Sequence, residues 1–286
     1  AGLALMTACQ PTKQQETSAP KLDSLEQVFA RATDPLDRIQ LKSQISDLKM
    51  GSAPPEERCR IFDEFVALVG EEIGSINVRE GDYLEHYFGY HYDDTGHEIA
   101  PPDSIKKKEQ HYKQRGIQLV DLGEEIVMFS PAPVLYASLL RQLPDYYQEH
   151  WQLLRSIEDL TAEVGLCVSW RELGDLVARY EAYPKKFPQA TEFFVRLNAG
   201  YQYLQRLYLL GVDNTLTIGI NDCSILPEVK SEWLRFIKVY PDSPTAKMAK
   251  GLLEMDPFAN YEVLYDFVLE RQKASDFPLL SSRQTE

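Results

Sequence analysis

The sequence lacks every familiar signature of catalysis. It has no glycine-rich phosphate loop, no G-x-S-x-G nucleophile elbow and no H-E-x-x-H metal motif. It has only four cysteines, and none of them stands at zinc or redox spacing. No internal apolar run reaches the roughly 20 residues that a membrane-spanning helix needs. We therefore expect a non-enzymatic protein that uses no cofactor.

Positive charge is also scarce. Thirty Lys and Arg residues stand against 44 Asp and Glu residues, which gives a formal net charge of -14. Because phosphate contacts need a basic surface, nucleic acid is not expected as a partner. Hydrophobic residues make up 44% of the chain and tyrosines number sixteen. This composition predicts a well-developed core with tyrosines at helix–helix seams.

The first residues predict a lipid anchor. Residues 1–8 are small and apolar, which is typical of the end of a secretory signal peptide. Met6-Thr7-Ala8-Cys9 resembles a bacterial lipobox, in which the cysteine becomes the lipidated N-terminus. We expect residues 1–8 to be a signal-peptide remnant and residues 9–23 to be the lipidated Cys9 with a flexible tether. Gln10 after the cysteine predicts the outer membrane if the host is Gram-negative.

Residues 24–115 read as an N-terminal helical part. Ser24, Asp34-Pro35 and Pro54-Pro55 mark three helix starts. The third helix carries an apolar stripe at helical spacing. Its members are Cys59, Phe62, Phe65, Val66, Val69 and Ile73.

Histidines and polar aromatic residues are concentrated between Arg79 and His111. The candidates for a metal or acid/base site are His86, His91, Asp93 and His97. The favoured interpretation is an exposed polar loop, because no helical pair of histidines is present and residues 93–96 read as a turn.

Residues 116–271 read as one β-hairpin followed by helices. Two apolar runs between Gly116 and Phe129 flank a turn at residues 122–124. Ser130-Pro131 and Pro144-Asp145 then mark helix starts. His150 lies beside an apolar stripe and is interpreted as a core or helix-edge histidine. Residues 272–286 are a tail that is expected to fray.

The longest helices are predicted from residue 169 onward. Ser169 and Glu172 form a capping box. Tyr183-Pro184 is expected to end that helix. Pro188 is expected to begin the next helix, and Gly211 to end it in the left-handed conformation.

Two further Pro-containing pairs mark the last helices. Ser243-Pro244 and Asp256-Pro257 are both expected to begin a helix. The helix after the second pair is predicted to bury one apolar face. That face comprises Tyr261, Leu264, Tyr265, Val268 and Leu269.

The most specific polar cluster is the loop that follows Gly211. Asp213, Asn214 and Thr215 are a candidate recognition loop, and the alternative is an Asx turn that only terminates the helix. The cysteines also leave two arrangements open. Cys167 and Cys223 form a disulfide, or these two and Cys59 are unpaired.

Two resemblances accompany these patterns. Residues 240–254 resemble the helix-start phrase of tetratricopeptide-like envelope lipoproteins. From residue 116 to 253 the chain is similar to an uncharacterised family of bacterial secreted or lipid-anchored helical proteins. The matching positions are Gly116-Ile117, Arg179-Tyr180-Glu181, Tyr183-Pro184, Tyr201, Tyr203-Leu204, Gly211 and Asp213-Asn214-Thr215. The patterns and resemblances together predict a mainly α protein, an irregular stack of tetratricopeptide-like helix pairs with one small β-hairpin.

We therefore expect a bacterial envelope lipoprotein that acts as a helical scaffold or binding module, with an envelope protein as its partner and the membrane reached through Cys9. One alternative is a periplasmic immunity or inhibitor protein, since negative patches steer toward basic targets. The second alternative is a metal-dependent envelope hydrolase that uses His86, His91, Asp93 and His97.

Overall fold

The computed structural model describes residues 13–158, 160–162 and 165–274. These residues are mainly α-helical, as predicted. The chain divides into two compact units, of which the first ends at Pro144 and the second begins at Asp145.

The first unit is built from helices and one two-stranded antiparallel sheet, with a 3₁₀ turn at Pro133–Leu135. The helices are α1 (Lys13–Arg31), α2 (Pro35–Met50), α3 (Pro55–Arg79), α4 (Gly81–Glu85), α5 (Tyr87–His91), α6 (Asp103–Lys113) and α7 (Ala137–Leu140), and the strands are β1 (Ile117–Asp121) and β2 (Val127–Pro131).

The core of the first unit forms where α2 packs on α3. Asp34 begins α2 as predicted, because its carboxylate accepts hydrogen bonds from the Leu36 and Asp37 amides. The apolar stripe predicted on α3 faces this core, and only Val66 in it is half-buried.

Helix α1 begins earlier than predicted. It starts at Lys13 instead of Ser24, so residues 13–23 of the predicted tether are helical. Lysine, glutamine, glutamate and alanine in this stretch favour a helix, whereas Pro20 inside it does not. Cys9 and the signal-peptide remnant predicted at 1–8 lie outside the described residues.

The predicted hairpin is present, with Leu119 opposite Phe129. Asn77 of α3 binds β2 through two hydrogen bonds, since its Nδ2 donates to the Phe129 carbonyl at 3.0 Å and the Phe129 amide donates to its Oδ1 at 2.8 Å. This tie places the hairpin in the first unit, and the division between units therefore differs from the one expected at residues 115 and 116. Ser130-Pro131 ends β2 instead of beginning a helix, because Ser130 pairs with Gln118.

The second unit holds two helices of 17 residues, α9 and α10, and a 3₁₀ turn at Thr191–Phe193. Its helices are α8 (Asp145–Arg155), α9 (Trp170–Lys186), α10 (Phe194–Leu210), α11 (Pro227–Val239), α12 (Pro244–Met255) and α13 (Tyr261–Ala274). Its strands form two short antiparallel pairs, β3 (Thr161–Ala162) with β4 (Gly165–Leu166) and β5 (Gly211–Val212) with β6 (Thr215–Leu216). The sequence predicted neither pair, because two-residue strands show no alternating pattern.

Helix α9 begins at the predicted capping box of Ser169 and Glu172. It continues through Tyr183-Pro184, where the sequence predicted its end. Proline removes one helical hydrogen bond there, but the helix ends only two residues later and the loss is small. The buried Tyr183 also holds this turn, because its hydroxyl donates to the Tyr146 carbonyl at 2.9 Å. Pro188 precedes the 3₁₀ turn and does not begin α10, which also differs from the prediction.

Helix α10 is central to the second unit and packs against α8, α9 and α13. Trp233 of α11 is fully buried, and its indole N–H donates to the Tyr208 carbonyl at 3.3 Å. Ser243 begins α12 as predicted, with its hydroxyl accepting from the Ala246 amide. Asp256-Pro257 does not begin α13, because Asn260 caps that helix by accepting from the Val263 amide.

A buried polar network joins four helices of this unit. The Oε1 atom of Glu181 in α9 accepts from the Tyr201 hydroxyl of α10 at 2.7 Å and from the Thr245 hydroxyl of α12 at 2.7 Å. Gln205 donates to both hydroxyl oxygens at 2.8 Å. Gln272 of α13 donates to Gln205 at 3.1 Å. The network therefore fixes the spacing of α9, α10, α12 and α13.

Candidate functional site

The candidate metal ligands of the first unit have separate partners. The Nδ1 atom of His86 lies 2.8 Å from the Asp82 carbonyl oxygen, and the Nε2 atom of His91 lies 2.8 Å from the Glu109 carboxylate. Among the residues that the structure describes, no three His, Cys, Asp or Glu side chains form a group that could hold a metal. The structure thus brings Asp93 and His97 together, with His97 Nδ1 3.8 Å from Asp93 Oδ1, but does not join them with His86 and His91 into one site.

Asp93 organises the turn that carries His97. Its Oδ1 atom accepts from the Thr95 hydroxyl at 2.6 Å, the Thr95 amide at 2.8 Å and the His97 amide at 3.0 Å. These bonds, led by the Thr95 hydroxyl, lower the pKa of Asp93. The turn closes the bridge between Tyr92 and Glu98. Asp93 therefore acts as a turn-forming residue.

Glu109 of α6 is a polar centre that the sequence analysis missed. It accepts from the Tyr83 hydroxyl at 2.7 Å and also contacts His91. Burial and the nearby Glu109 charge raise the pKa of Tyr83, so this tyrosine stays neutral. Lys108 lies 4.8 Å from the centre of the Tyr83 ring and forms an ion pair with Glu80 at 2.6 Å. This arrangement positions α4, α5 and α6 relative to one another.

The loop after α10 is a tight antiparallel turn. Val212 pairs with Thr215, and Asp213 and Asn214 are exposed between them. Thr215 is half-buried, and its hydroxyl accepts from the Leu166 amide at 3.1 Å. Thr215 therefore stabilises β4, whereas Asp213 and Asn214 are available at the surface. Gly211 has the predicted positive φ of 77°, but its ψ of −158° is not left-handed helical.

Replacing Gly211 with alanine is expected to lower the free energy of unfolding of the second unit by roughly 2 kcal/mol. An added Cβ would overlap the Thr215 carbonyl oxygen, and the positive φ is strained for an L side chain. Urea unfolding followed by tryptophan fluorescence measures the change. All three tryptophans, Trp151, Trp170 and Trp233, report on this unit.

The matched control for Gly211→Ala is Asn214→Ala at the same turn. Asn214 is exposed, so its replacement should change the free energy by less than about 0.5 kcal/mol. Equal effects of the two substitutions would contradict the steric account of Gly211.

Two tyrosines of α13 lie near this turn. The sequence predicted Tyr261 and Tyr265 in the core, but each is 41% exposed, and only Leu264 and Val268 of that predicted face are fully buried. The two tyrosine rings stack with their centres 6.4 Å apart. Burial raises the pKa of Tyr261, and the charges of Tyr265 and Asp213 add to the effect.

These residues form a surface of aromatic and acidic groups. Tyr261, Glu262, Tyr265 and Asp266 line a cleft of about 400 Å³. With Asp213, whose charge acts on Tyr261, they make up what we call the acidic-aromatic surface. The sequence predicted the loop part of this surface, Asp213, but not the part on α13. The only sequence signal for the α13 part was that Tyr261 and Tyr265, unlike the leucines and valine predicted beside them, carry a polar hydroxyl group.

Two of the cysteines are free thiols. Cys167 is exposed and Cys223 is half-buried, and no disulfide joins them. Cys59 is buried on α3. The open choice between a disulfide and unpaired cysteines is therefore decided against the disulfide between Cys167 and Cys223.

Among the described helices, none is both long enough and apolar enough to cross a membrane.

Comparison with known proteins gives no further guide to the function. The chain matches no family model, and no curated protein or solved structure matches it.

Proposed function

We propose that this protein is a lipid-anchored protein of the bacterial cell envelope and acts as a non-enzymatic helical module that binds another envelope protein. The anchor is proposed from the sequence, in which Cys9 completes a lipobox-like motif. The resemblance to secreted and lipid-anchored helical proteins supports the same compartment. The observation that carries the binding function is the acidic-aromatic surface.

Exposed stacked tyrosines favour protein binding. Tyr261 and Tyr265 present two large, partly exposed rings that stack on one helix. Tyrosine is enriched among the residues that contribute most to interface energy. The neighbouring carboxylates of Asp213, Glu262 and Asp266 would face lysine or arginine side chains. The partner is therefore expected to present apolar groups beside basic ones.

The Tyr261→Ala/Tyr265→Ala double variant is expected to bind the partner at least tenfold more weakly, which corresponds to roughly 1.4 kcal/mol. The partner is first recovered from membranes of the native host by mild crosslinking to the lipid-anchored protein. Its affinity for each variant is then measured by calorimetry.

Tyr92→Ala is the matched control for this double variant. Tyr92 is 40% exposed and belongs to the first unit. Its substitution should leave the affinity unchanged. Recovery of no envelope protein, or equal binding by the double variant and the parent protein, would contradict the proposed function.

An inhibitor of a basic target is the second candidate. It is favoured by the three carboxylates of the same surface and by the net charge of -14. Electrostatic steering would make the association rate fall steeply with salt. A recovered partner that is basic and loses activity when bound would identify the protein as an inhibitor. The hydrolase hypothesis has less support, because His86, His91 and His97 have separate partners.

A further inference from the structure

A second cleft lies between α12 and α13 and shares no lining residue with the acidic-aromatic surface. Its volume is about 620 Å³, within the roughly 300–1,000 Å³ typical of small-molecule sites. Its lining combines three cations with one carboxylate and several apolar side chains. The charged residues are Lys247, Lys250, Arg271 and Glu254, and the apolar ones are Met248, Met255 and Phe267.

The three cations of this cleft outnumber its one carboxylate, Glu254. Lys247, Lys250 and Arg271 are exposed, and none of them forms an ion pair with another residue of the described chain. The Arg271 guanidinium instead lies 5.2 Å from the centre of the Phe267 ring. The protein as a whole, with a net charge of -14, repels anions, whereas this local cluster of cations attracts them.

The charge is concentrated at one end of the cleft. Gly251 and Phe267 are in close contact, since a Cβ on Gly251 would lie 2.8 Å from the Phe267 ring. Lys247 lies one turn before Gly251, and Arg271 lies one turn after Phe267. This end lies at the start of α12.

The opposite end of the cleft suits an apolar chain. Met255 ends α12 there and Glu254 precedes it, so a second anionic group would be repelled. Gly251 lines the cleft between the two ends, and because it has no side chain, the Phe267 ring packs directly against it and forms an apolar wall there. The lining is thus amphiphilic, with Lys247 and Arg271 toward the start of α12, and with Phe267 and Met255 beyond them, beside Glu254.

The floor of the cleft is held by the buried network. Met248 is buried, and its sulfur lies 3.8 Å from Gln205 Nε2. Gln272, next to Arg271, donates to Gln205 and to the Gln202 carbonyl at 2.8 Å. These bonds fix α12 and α13 against α10, so the cleft is preformed.

We propose that this cleft binds a single-chain amphiphilic anion, a molecule with one carboxylate or phosphate head and one alkyl tail. The head lies between Lys247 and Arg271, and the tail runs along the Phe267 ring to Met255. This binding is independent of the protein partner proposed above.

Decanoate is the probe, titrated into the full chain by calorimetry below its micelle concentration. One molecule should bind per chain. The Lys247→Gln/Arg271→Gln variant should bind decanoate at least tenfold more weakly. Decanol, which lacks the charge, and butyrate, which lacks the long chain, should also bind the parent protein at least tenfold more weakly.

The control is Lys238→Gln/Lys273→Gln, which removes the same charge from two exposed lysines outside the cleft. It should bind decanoate as the parent protein does. If the Lys247→Gln/Arg271→Gln variant does not fold, a Lys250→Gln variant replaces it in the test. This variant is also expected to bind decanoate more weakly than the parent protein does. Absence of decanoate binding, equal loss in the control, or decanol binding as tightly as decanoate would overturn the proposal.

Discussion

Glu181→Ala is expected to lower the free energy of unfolding of the second unit by roughly 4 kcal/mol. The Glu181 side chain is only 4% exposed. Its removal leaves the Tyr201 hydroxyl and the Thr245 hydroxyl and amide without their shared acceptor. Each buried donor left unsatisfied costs about 1–3 kcal/mol. Urea unfolding followed by tryptophan fluorescence measures the loss.

Glu181→Gln separates the hydrogen bonds from the volume of the side chain. Glutamine keeps one acceptor oxygen, so it should retain most of the stability that alanine loses. Glu270→Ala, at an exposed position of α13, should stay within about 0.5 kcal/mol of the parent protein. If glutamine and alanine at position 181 were equally destabilising, the acceptor role of Glu181 would be refuted.

Acidification is expected to weaken the second unit through His150. This histidine is 2% exposed, and its Nδ1 atom has no hydrogen-bond partner among the described residues. It is packed among Tyr147, Tyr183 and Phe193. Burial, with a smaller contribution from the Arg196 charge, lowers the pKa of His150 to about 4. The sequence interpreted it as a core or helix-edge histidine, and the structure confirms the core.

The direction of the pH effect on stability follows from the pKa of His150 in the folded and in the unfolded chain. Unfolded histidine titrates near 6.5, so between about pH 6.5 and 4 the unfolded chain binds a proton that the folded chain does not. The stability that neutral His150 provides is therefore complete above pH 6.5 and is lost as the pH falls toward 4. Between pH 7.5 and 4.5 this loss amounts to roughly 2.5 kcal/mol.

His150→Leu should remove this part of the pH dependence. The test compares the free energy of unfolding at pH 7.5 and 4.5 in both proteins, again by tryptophan fluorescence. His150 is the only histidine after residue 144, so no other histidine of the second unit contributes. His111→Leu, in the first unit, should leave the difference unchanged. An identical pH dependence in His150→Leu and the parent protein would disprove the assignment.

The sequence predicted features that depend on neighbouring residues. The capping box at Ser169, the helix starts at Asp34-Pro35 and Ser243-Pro244, and the hairpin are all confirmed. Each depends on contacts within a few residues, which a sequence displays directly. The mainly α fold follows from the same local signals.

Features that depend on distant contacts were missed. Tyr183-Pro184 stays helical because Tyr183 is held by Tyr146 of another helix. Helical spacing could not show that Tyr261 and Tyr265 lie beside the turn at Asp213. The loop half of the acidic-aromatic surface was predicted from its residue types, whereas its helix half depends on how α13 is placed.

The buried network has a consequence for the order in which the second unit becomes stable. Glu181 is hydrogen-bonded to Thr245, which lies 64 residues later in the chain, and Gln205 is hydrogen-bonded to Gln272, which lies 67 residues later. While the chain emerges, α9 and α10 can pair, but the Glu181 carboxylate then lacks one of its partners. The hydrogen bonds that link the four helices are therefore complete only once α13 is in place. The network thus couples four helices that are far apart in the sequence, and its last member is supplied by α13.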